Sequence, residues 1–464
     1  MDKRKKKNDY ERYMNDMFKI SPISRFVYGK RDNETLSHIE NYMSDEYLEQ
    51  IKELNFKYKY TKDIQLKEEL ENDDYYINNK LYLLIFSSYV NFIVNFIYDN
   101  NTVYPKNKIQ MKSREEDFNL VIKSSIERAK EGLKENITFP KVIIKKFLVQ
   151  LKEVKKNNKN IEELYDFISK SYYPHCRNEI GLCYLKNGKE SYKIAVKDYL
   201  GNLDITPEEL HETGKRLIKK PIKLGKTYKS KKELMDDCLK YAKHIYDVII
   251  DKYFDYKPKK KFIIVPVPKS LEKSSPLGYY NDIENKVFVN LSYYYEVDKK
   301  ELYSFIMHEC MHFYHYEYMK YLKVPKYKMY NYSNIALVEG FAHYMEIYCE
   351  DYDEDNNSFA LLRKMRLVVD TGINYYGWTY KQAYDYMDKY MKNRKTDNIN
   401  EIDRYICMPA QALCYTIGKL HIIKLRDDYL SKNKGTIKDF HRELLIEGLA
   451  SFTIINKKFG YNNG

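Results

Sequence analysis

Apolar residues recur at three- and four-residue spacing through residues 10–155, and this period predicts a run of helices. Polar stretches such as Asp99-Asn100-Asn101-Thr102 separate them. Residues 162–171 carry one more short helical pattern, and 174–200 are mixed, with a turn at Asn187-Gly188. Thr206-Pro207-Glu208-Glu209 marks a helix start: the Thr hydroxyl can cap, Pro suits the first helical position, and acids suit the positive end. Residues 231–253 are again apolar at the helical period. The period then changes. Residues 262–267 (FIIVPV) and 287–291 (VFVNL) read as strands, the second following a polar turn at Asn281-Asp282. From Lys299 the helical period runs nearly to the end. The expected fold is mainly α, with a small β-sheet just before one motif-bearing helix. No repeat or Pro/Gly/Ser-rich linker divides the chain. The expected organisation is a tail at 1–9, a helical region at 10–170 and a C-terminal region at 171–464, the last two forming one continuous unit.

That helix contains His308-Glu309-Cys310-Met311-His312, an HExxH sequence. Residues four apart on a helix lie about 40° apart around the axis and roughly 6 Å apart along it. Both imidazoles can therefore reach one Zn²⁺ from one face. Glu309 follows the first His, so its carboxylate can stand beside the metal without binding it and take a proton from water. Phe305, Ile306, Met307, Met311 and Phe313 surround these polar groups. Unpaired His and Glu among them would be costly, and a metal satisfies them.

Catalytic zinc sites commonly use three protein ligands. The third is expected from residues 336–346 (ALVEGFAHYME), where Glu339 interrupts an apolar helical pattern. Gly340 would let this helix approach the HExxH helix closely. Glu346, two turns on, could accept a hydrogen bond from a ligand imidazole. Two histidines compete for roles. His315 is an alternative to His312 as ligand. His343, one turn after Glu339, is either an oxyanion donor or a satisfied core histidine.

Composition narrows the setting. The chain has 464 residues, enough for a sizeable core. Its 50 Tyr against 16 Gly and 1 Trp point to an AT-rich genome, as in some large DNA viruses, protists and clostridia. Net charge is +13, but the lysines are interleaved with acids along the chain, as on a solvated surface. Only Lys3-Arg4-Lys5-Lys6-Lys7 is a dense basic run, read as a solubilising tail rather than a nucleic-acid arm. The seven cysteines form no CxxC pair, which argues against a cysteine zinc site and suits a reducing compartment. The N-terminus lacks the apolar core of a signal peptide. The most membrane-like segment, 81–98, carries a polar stripe of Ser88, Asn91 and Asn95, which argues against a span. An intracellular protein without membrane or nucleic-acid partners is expected.

Residues 338–346 (VEGFAHYME) resemble the glutamate-ligand helix of gluzincin aminopeptidases. More closely, the C-terminal half is similar to the domain of unknown function 885 family (DUF885), predicted zinc metallopeptidases found mostly in bacteria. Four stretches carry the resemblance in order: residues 181–214, with GL, NG, Y and TPEE; 366–387, with RLVVDTG, GW, QA and YM; 404–419, RYICMPAQALCYTIGK; and 440–448, FHRELLIEG. It implies a large helical gluzincin-like fold, one zinc ion per chain and peptidase activity on unknown substrates. Two departures stand out. Many members carry Pro-Gly and then His in the metal helix, where this chain has Cys310-Met311-His312 followed by Phe313-Tyr314-His315. The family's DTGLH reads Asp370-Thr371-Gly372-Ile373-Asn374, and Asn374 cannot carry a proton as His does.

The expected reaction is metal-assisted hydrolysis of a peptide or protein, with Glu309 moving the water proton to the leaving amine. Tyr415, in the family-like CYTIGK segment, is the first candidate to stabilise the oxyanion and His343 the second. Arg366, Arg404 or Lys419 could hold a substrate carboxylate, which would favour carboxypeptidase action or short peptides. Each is equally readable as a structural ion-pair partner, for instance Arg366 with Asp370 at i,i+4 spacing. The strand at 287–291 could pair by its edge with an extended peptide. Two rival readings are a catalytically silent binding or structural protein with the same fold, and a protease acting on nucleic-acid-bound proteins through residues 3–7.

Overall fold

The computed structural model describes residues 8–28, 32–84, 107–155, 158–222, 225–269, 271–272, 275–282, 284–329, 334–392 and 395–461. The basic run at 3–7 lies outside them, as does the 81–98 segment from residue 85 on, with Ser88, Asn91 and Asn95. No described helix is long and apolar enough to cross a membrane. The described chain is mainly helical, with one three-stranded sheet. It divides into two compact units: residues 1–192 with 373–380 and 406–408, and residues 193–372 with 381–405 and 409–464.

The first unit is built from helices with capped starts. Asn8, Ser44, Asp63, Asn107 and Asn158 each accept a first-turn backbone N–H that has no partner within its helix. The helix Lys108–Lys134 buries Phe118, Val121, Ile122 and Ile126, one apolar face turned to a core. Asn374 belongs to this unit. It is buried, and its Oδ1 accepts the Leu182 N–H at 3.1 Å, so it serves as a backbone tie.

The second unit holds the motif. Thr206 and Glu209 form a reciprocal capping box at the start of the helix Pro207–Leu217. The helical period at 231–253 is realised as Lys231–His244, a π turn Ile245–Ile249 and Ile250–Tyr253. The sheet comprises β1 (Ile264–Pro266), β2 (Gly278–Asn281) and β3 (Lys286–Val289), in the order β1-β3-β2. β1 and β3 are parallel; β2 and β3 are antiparallel. The second expected strand stops at Val289 because Asn290 turns the chain. Its Nδ2 donates to the carbonyls of Glu272 and Ser275, and its Oδ1 accepts the Ser292 N–H. β2 is too short for its alternation to be read from sequence. It changes the role of β3, which is central and paired on both sides, so the edges belong to β1 and β2.

The HExxH helix spans Leu302–Tyr321, and every residue from Leu302 to Met311 is buried. A helix apolar on all sides belongs in a core, and here it carries His308 and Glu309 there. The glutamate helix spans Ile335–Met345. Gly340 permits a close approach, but to the helix Cys414–Ser431 rather than to the HExxH helix. A Cβ on Gly340 would lie 2.5 Å from Gly418 Cα, and one on Gly418 would lie 2.0 Å from the Ala336 carbonyl oxygen. The two helices meet backbone to backbone.

Candidate metal centre

His308 and His312 stand on one face of the HExxH helix, their ring centroids 4.8 Å apart. The glutamate helix brings Glu339 Oε2 to 3.3 Å from His308 Nε2 and 3.5 Å from His312 Nε2. One donor atom from each residue lies within 4.8 Å of the other two, and among the described residues this is the group that could hold a metal ion. Bonds of about 2.0–2.2 Å in tetrahedral array put neighbouring donors roughly 3.3–3.5 Å apart, so the two N–O separations suit a metal ion held by all three residues. His315 is outside the group. It is buried against Phe341, its ring centroid 5.1 Å away, and burial together with the nearby His312 pulls its pKa down to about 3.

The imidazole of His308 is oriented from behind. Its Nδ1 lies 2.9 Å from Glu346 Oε1 and 3.3 Å from Arg363 Nη2. A guanidinium has no acceptor, so the Nδ1 proton goes to Glu346 and Nε2 faces Glu339 and His312. Glu346 is fully buried and its charge is met by Arg363 Nη1, 2.9 Å from Oε1 and 3.0 Å from Oε2. Burial and Arg363 act to lower the His308 pKa, yet Glu339 and Glu346 outweigh them and raise it to about 9. Burial acts to raise the Glu339 pKa, and the two histidines override it, holding the carboxyl well below its usual range.

Glu309 is placed by the sheet. In the β2–β3 ladder the Leu277 carbonyl accepts the Asn290 N–H, so hydrogen-bonded pairs fall at 277, 279 and 281. Gly278 and Tyr280 therefore turn their N–H and C=O groups to the open edge. The Tyr280 N–H donates to Glu309 Oε2 at 2.9 Å. A cleft of about 490 Å³ opens here, lined among others by His308, Glu309, His312, Glu339, Tyr280 and Tyr415.

Tyr415 enters from the first turn of the helix Cys414–Ser431. Its ring is stacked on that of His308, centroids 6.0 Å apart, and its hydroxyl oxygen accepts from Arg404 Nη2 at 3.1 Å. Burial and then Glu339 raise its pKa, opposed by Arg404 and Arg366. Arg366 also lines the cleft, but it pairs in a two-pronged contact with Glu401, both N–O distances 2.9 Å, and not with Asp370. Asp370 instead accepts the Ala410 N–H at 3.0 and 3.3 Å, holding a left-handed residue (φ 71°) just before the turn that leads to Tyr415. Helical i,i+4 spacing put Arg366 and Asp370 on one face; a two-pronged partner from another helix displaced the local one.

His343 and Lys419 do not line the cleft. His343 is buried, with Nδ1 3.3 Å from the Tyr415 carbonyl, and burial and then Lys419 push its pKa well down. Lys419 is buried and donates to Glu354 at 2.8 Å. Sequence reasoning did not single out Tyr280, Arg363, Gln411 or Glu401. Arg363 was findable from its i,i+3 spacing to Arg366, and Glu401 from its spacing to Arg404. Tyr280 acts through its backbone and left no side-chain signal.

A comparison with curated proteins returns no match. Solved structures share the fold, these two among them. One, described as "the putative lipoprotein from Colwellia psychrerythraea", superposes with a TM-score of 0.76 at 19% identity, covering 97% of each chain. Another, described as "a putative lipoprotein of unknown function from Shewanella oneidensis", gives 0.67 at 16% identity, covering 97% of this chain and 98% of that one. The family model described as "Bacterial protein of unknown function (DUF885)" matches residues 215–458, more than half of the chain and the whole of the metal centre, and the chain belongs to that family.

Proposed function

We propose that the protein is a metallopeptidase with one zinc ion held by His308, His312 and Glu339, and that Glu309 is its general base. The observation that carries this reading is the convergence of two imidazoles and a carboxylate in one cleft, with a second carboxylate, that of Glu309, beside them. Zinc bound there would supply Lewis acidity to a substrate carbonyl and lower the pKa of a water to about 7.

The chain's own groups do the rest. The Tyr280 N–H holds one oxygen of Glu309, leaving the other free to take a proton from water and pass it to the departing amine. Arg404 donates to the Tyr415 oxygen, so the Tyr415 proton must point elsewhere, towards the cleft, where it can meet charge developing on the carbonyl oxygen. Glu346 fixes the His308 tautomer. The outer edge of β2 offers Gly278 N–H and C=O to an extended peptide, the role expected from sequence for the strand at 287–291. The same proposal puts the protein inside the cell, since its seven cysteines are all free thiols.

The test is the metal content of purified protein, by elemental mass spectrometry. The expected result is about one zinc per chain, lost in His308→Ala and Glu339→Ala, with hydrolysis of a peptide library abolished by Glu309→Gln. No metal, and none taken up from added zinc, would overturn the reading and favour a silent binding protein.

A further inference from the structure

One face of the helix Lys395–Cys407 turns Asp397, Asn400, Glu401 and Arg404 into the cleft, at three- and four-residue spacing. Around Glu401 the charges do not balance. Glu401 is engaged by Arg366 through two hydrogen bonds of 2.9 Å, and Arg404 Nη1 stands only within 3.5 Å of the same carboxylate. Two guanidinium groups thus share one acid. The other partners of Arg404 are neutral: Nε and Nη2 donate to Gln411 Oε1 at 3.1 and 2.5 Å, and Nη2 to the Tyr415 hydroxyl at 3.1 Å. Nη1 makes no hydrogen bond among the described residues, and the side chain is 27% exposed. Asp397 lies seven residues back, roughly 10 Å along the helix axis, too far to supply the missing charge.

A guanidinium fixed on two sides, with donors left over and a surplus charge, is a receptor for a carboxylate. Its place sets which carboxylate. Tyr415 touches both centres, stacked on His308 and bonded to Arg404. Successive Cα atoms of a peptide are about 3.8 Å apart, so a substrate reaching from the scissile carbonyl to Arg404 has one or two residues left. We propose that Arg404, steered by Gln411 and backed by the Arg366–Glu401 pair, binds the C-terminal carboxylate of peptide substrates, making the protein a carboxypeptidase. The cleavage step rests on the metallopeptidase reading; the binding step does not. Hydrolysis adds the hydroxyl of water to the scissile carbonyl carbon, breaks the C–N bond and delivers the water proton to the leaving amine. The released amino acid or dipeptide keeps its carboxylate, and no other reactant is consumed.

The experiment uses the full chain carrying Glu309→Gln, immobilised, and a randomised N-acetylated tripeptide library prepared as free acids and as C-terminal amides. Retention is read by mass spectrometry. Free acids are expected to be retained about tenfold over amides, with the preference collapsing when Arg404→Gln is added. The acid–amide comparison in the Glu309→Gln chain needs no change at Arg404, so it stands even if Arg404→Gln fails to fold. Equal retention of acids and amides would overturn the proposal, as would equal digestion of both by the wild-type chain. Selective retention of acids with digestion of neither would uphold the carboxylate site and overturn the peptidase reading instead.

Discussion

The backbone N–H of Tyr280 donates to Glu309 Oε2 at 2.9 Å, tying a strand edge to the carboxylate that adjoins the candidate metal ligands. The parity of the β2–β3 register makes this possible, because it leaves the N–H of residue 280 unused by the ladder. An edge position with an outward N–H also tolerates proline. Tyr280→Pro is therefore expected to keep the fold and the metal while kcat/KM falls about 10- to 100-fold, as the base loses its orientation. Paired measurements of peptide hydrolysis and of metal per chain check this. An unchanged rate would remove Tyr280 from the machinery.

Glu346 acts through His308 rather than on substrate. Glu346→Gln keeps an acceptor for Nδ1 but loses the charge opposite Arg363, and metal affinity is expected to fall about 10- to 100-fold. Glu346→Ala leaves Arg363 buried without its partner and is expected to cost about 3–5 kcal/mol of stability. Competition with a chromophoric chelator reads the first, and urea unfolding the second.

Contact between Gly340 and Gly418 leaves no room for a methyl group. Gly340→Ala is expected to force the two helices apart, at a cost of about 1–3 kcal/mol, and to displace the adjacent Glu339. Thermal melting with and without added zinc separates the two effects. If zinc raises the melting temperature of the variant as much as that of the wild type, Glu339 has not moved.

His441 is buried as a neutral ring. Its Nδ1–H donates to the Tyr253 carbonyl at 2.9 Å, so Nε2 accepts from the Tyr344 hydroxyl at 3.0 Å. Burial lowers its pKa from 6.5 to about 4. Between those values the unfolded chain binds a proton that the folded chain does not, so stability rises with pH and is lost on acidification from about 6.5 to 4. One such group contributes at most about 1.4 kcal/mol per pH unit. His211 and His421 are lowered to about 4 in the same sense. His441→Asn is expected to reduce the slope of stability against pH without abolishing it, as measured by urea midpoints across this window.

Much of the fold class and of the local chemistry was legible in the chain. The i,i+4 spacing of His308 and His312 puts both on one helix face whatever surrounds them, because 3.6 residues make a turn. The cap at Thr206, the strands near 264 and 287 and the mainly helical class follow from equally local rules. What failed was each pairing inferred from nearness in sequence. Arg366 pairs with Glu401 and not Asp370, Gly340 meets Gly418 and not the HExxH helix, and β3 lost its edge to β2. Periodicity states which residues share a face. Which face meets which is decided by the burial of apolar surface between segments far apart in the chain, and that competition has no local signature. The HExxH spacing and the acid at Glu339 were determined by the sequence itself. The gathering of Glu339, Glu346, Arg363, Tyr280, Tyr415 and Arg404 around that spacing was decided only by tertiary packing.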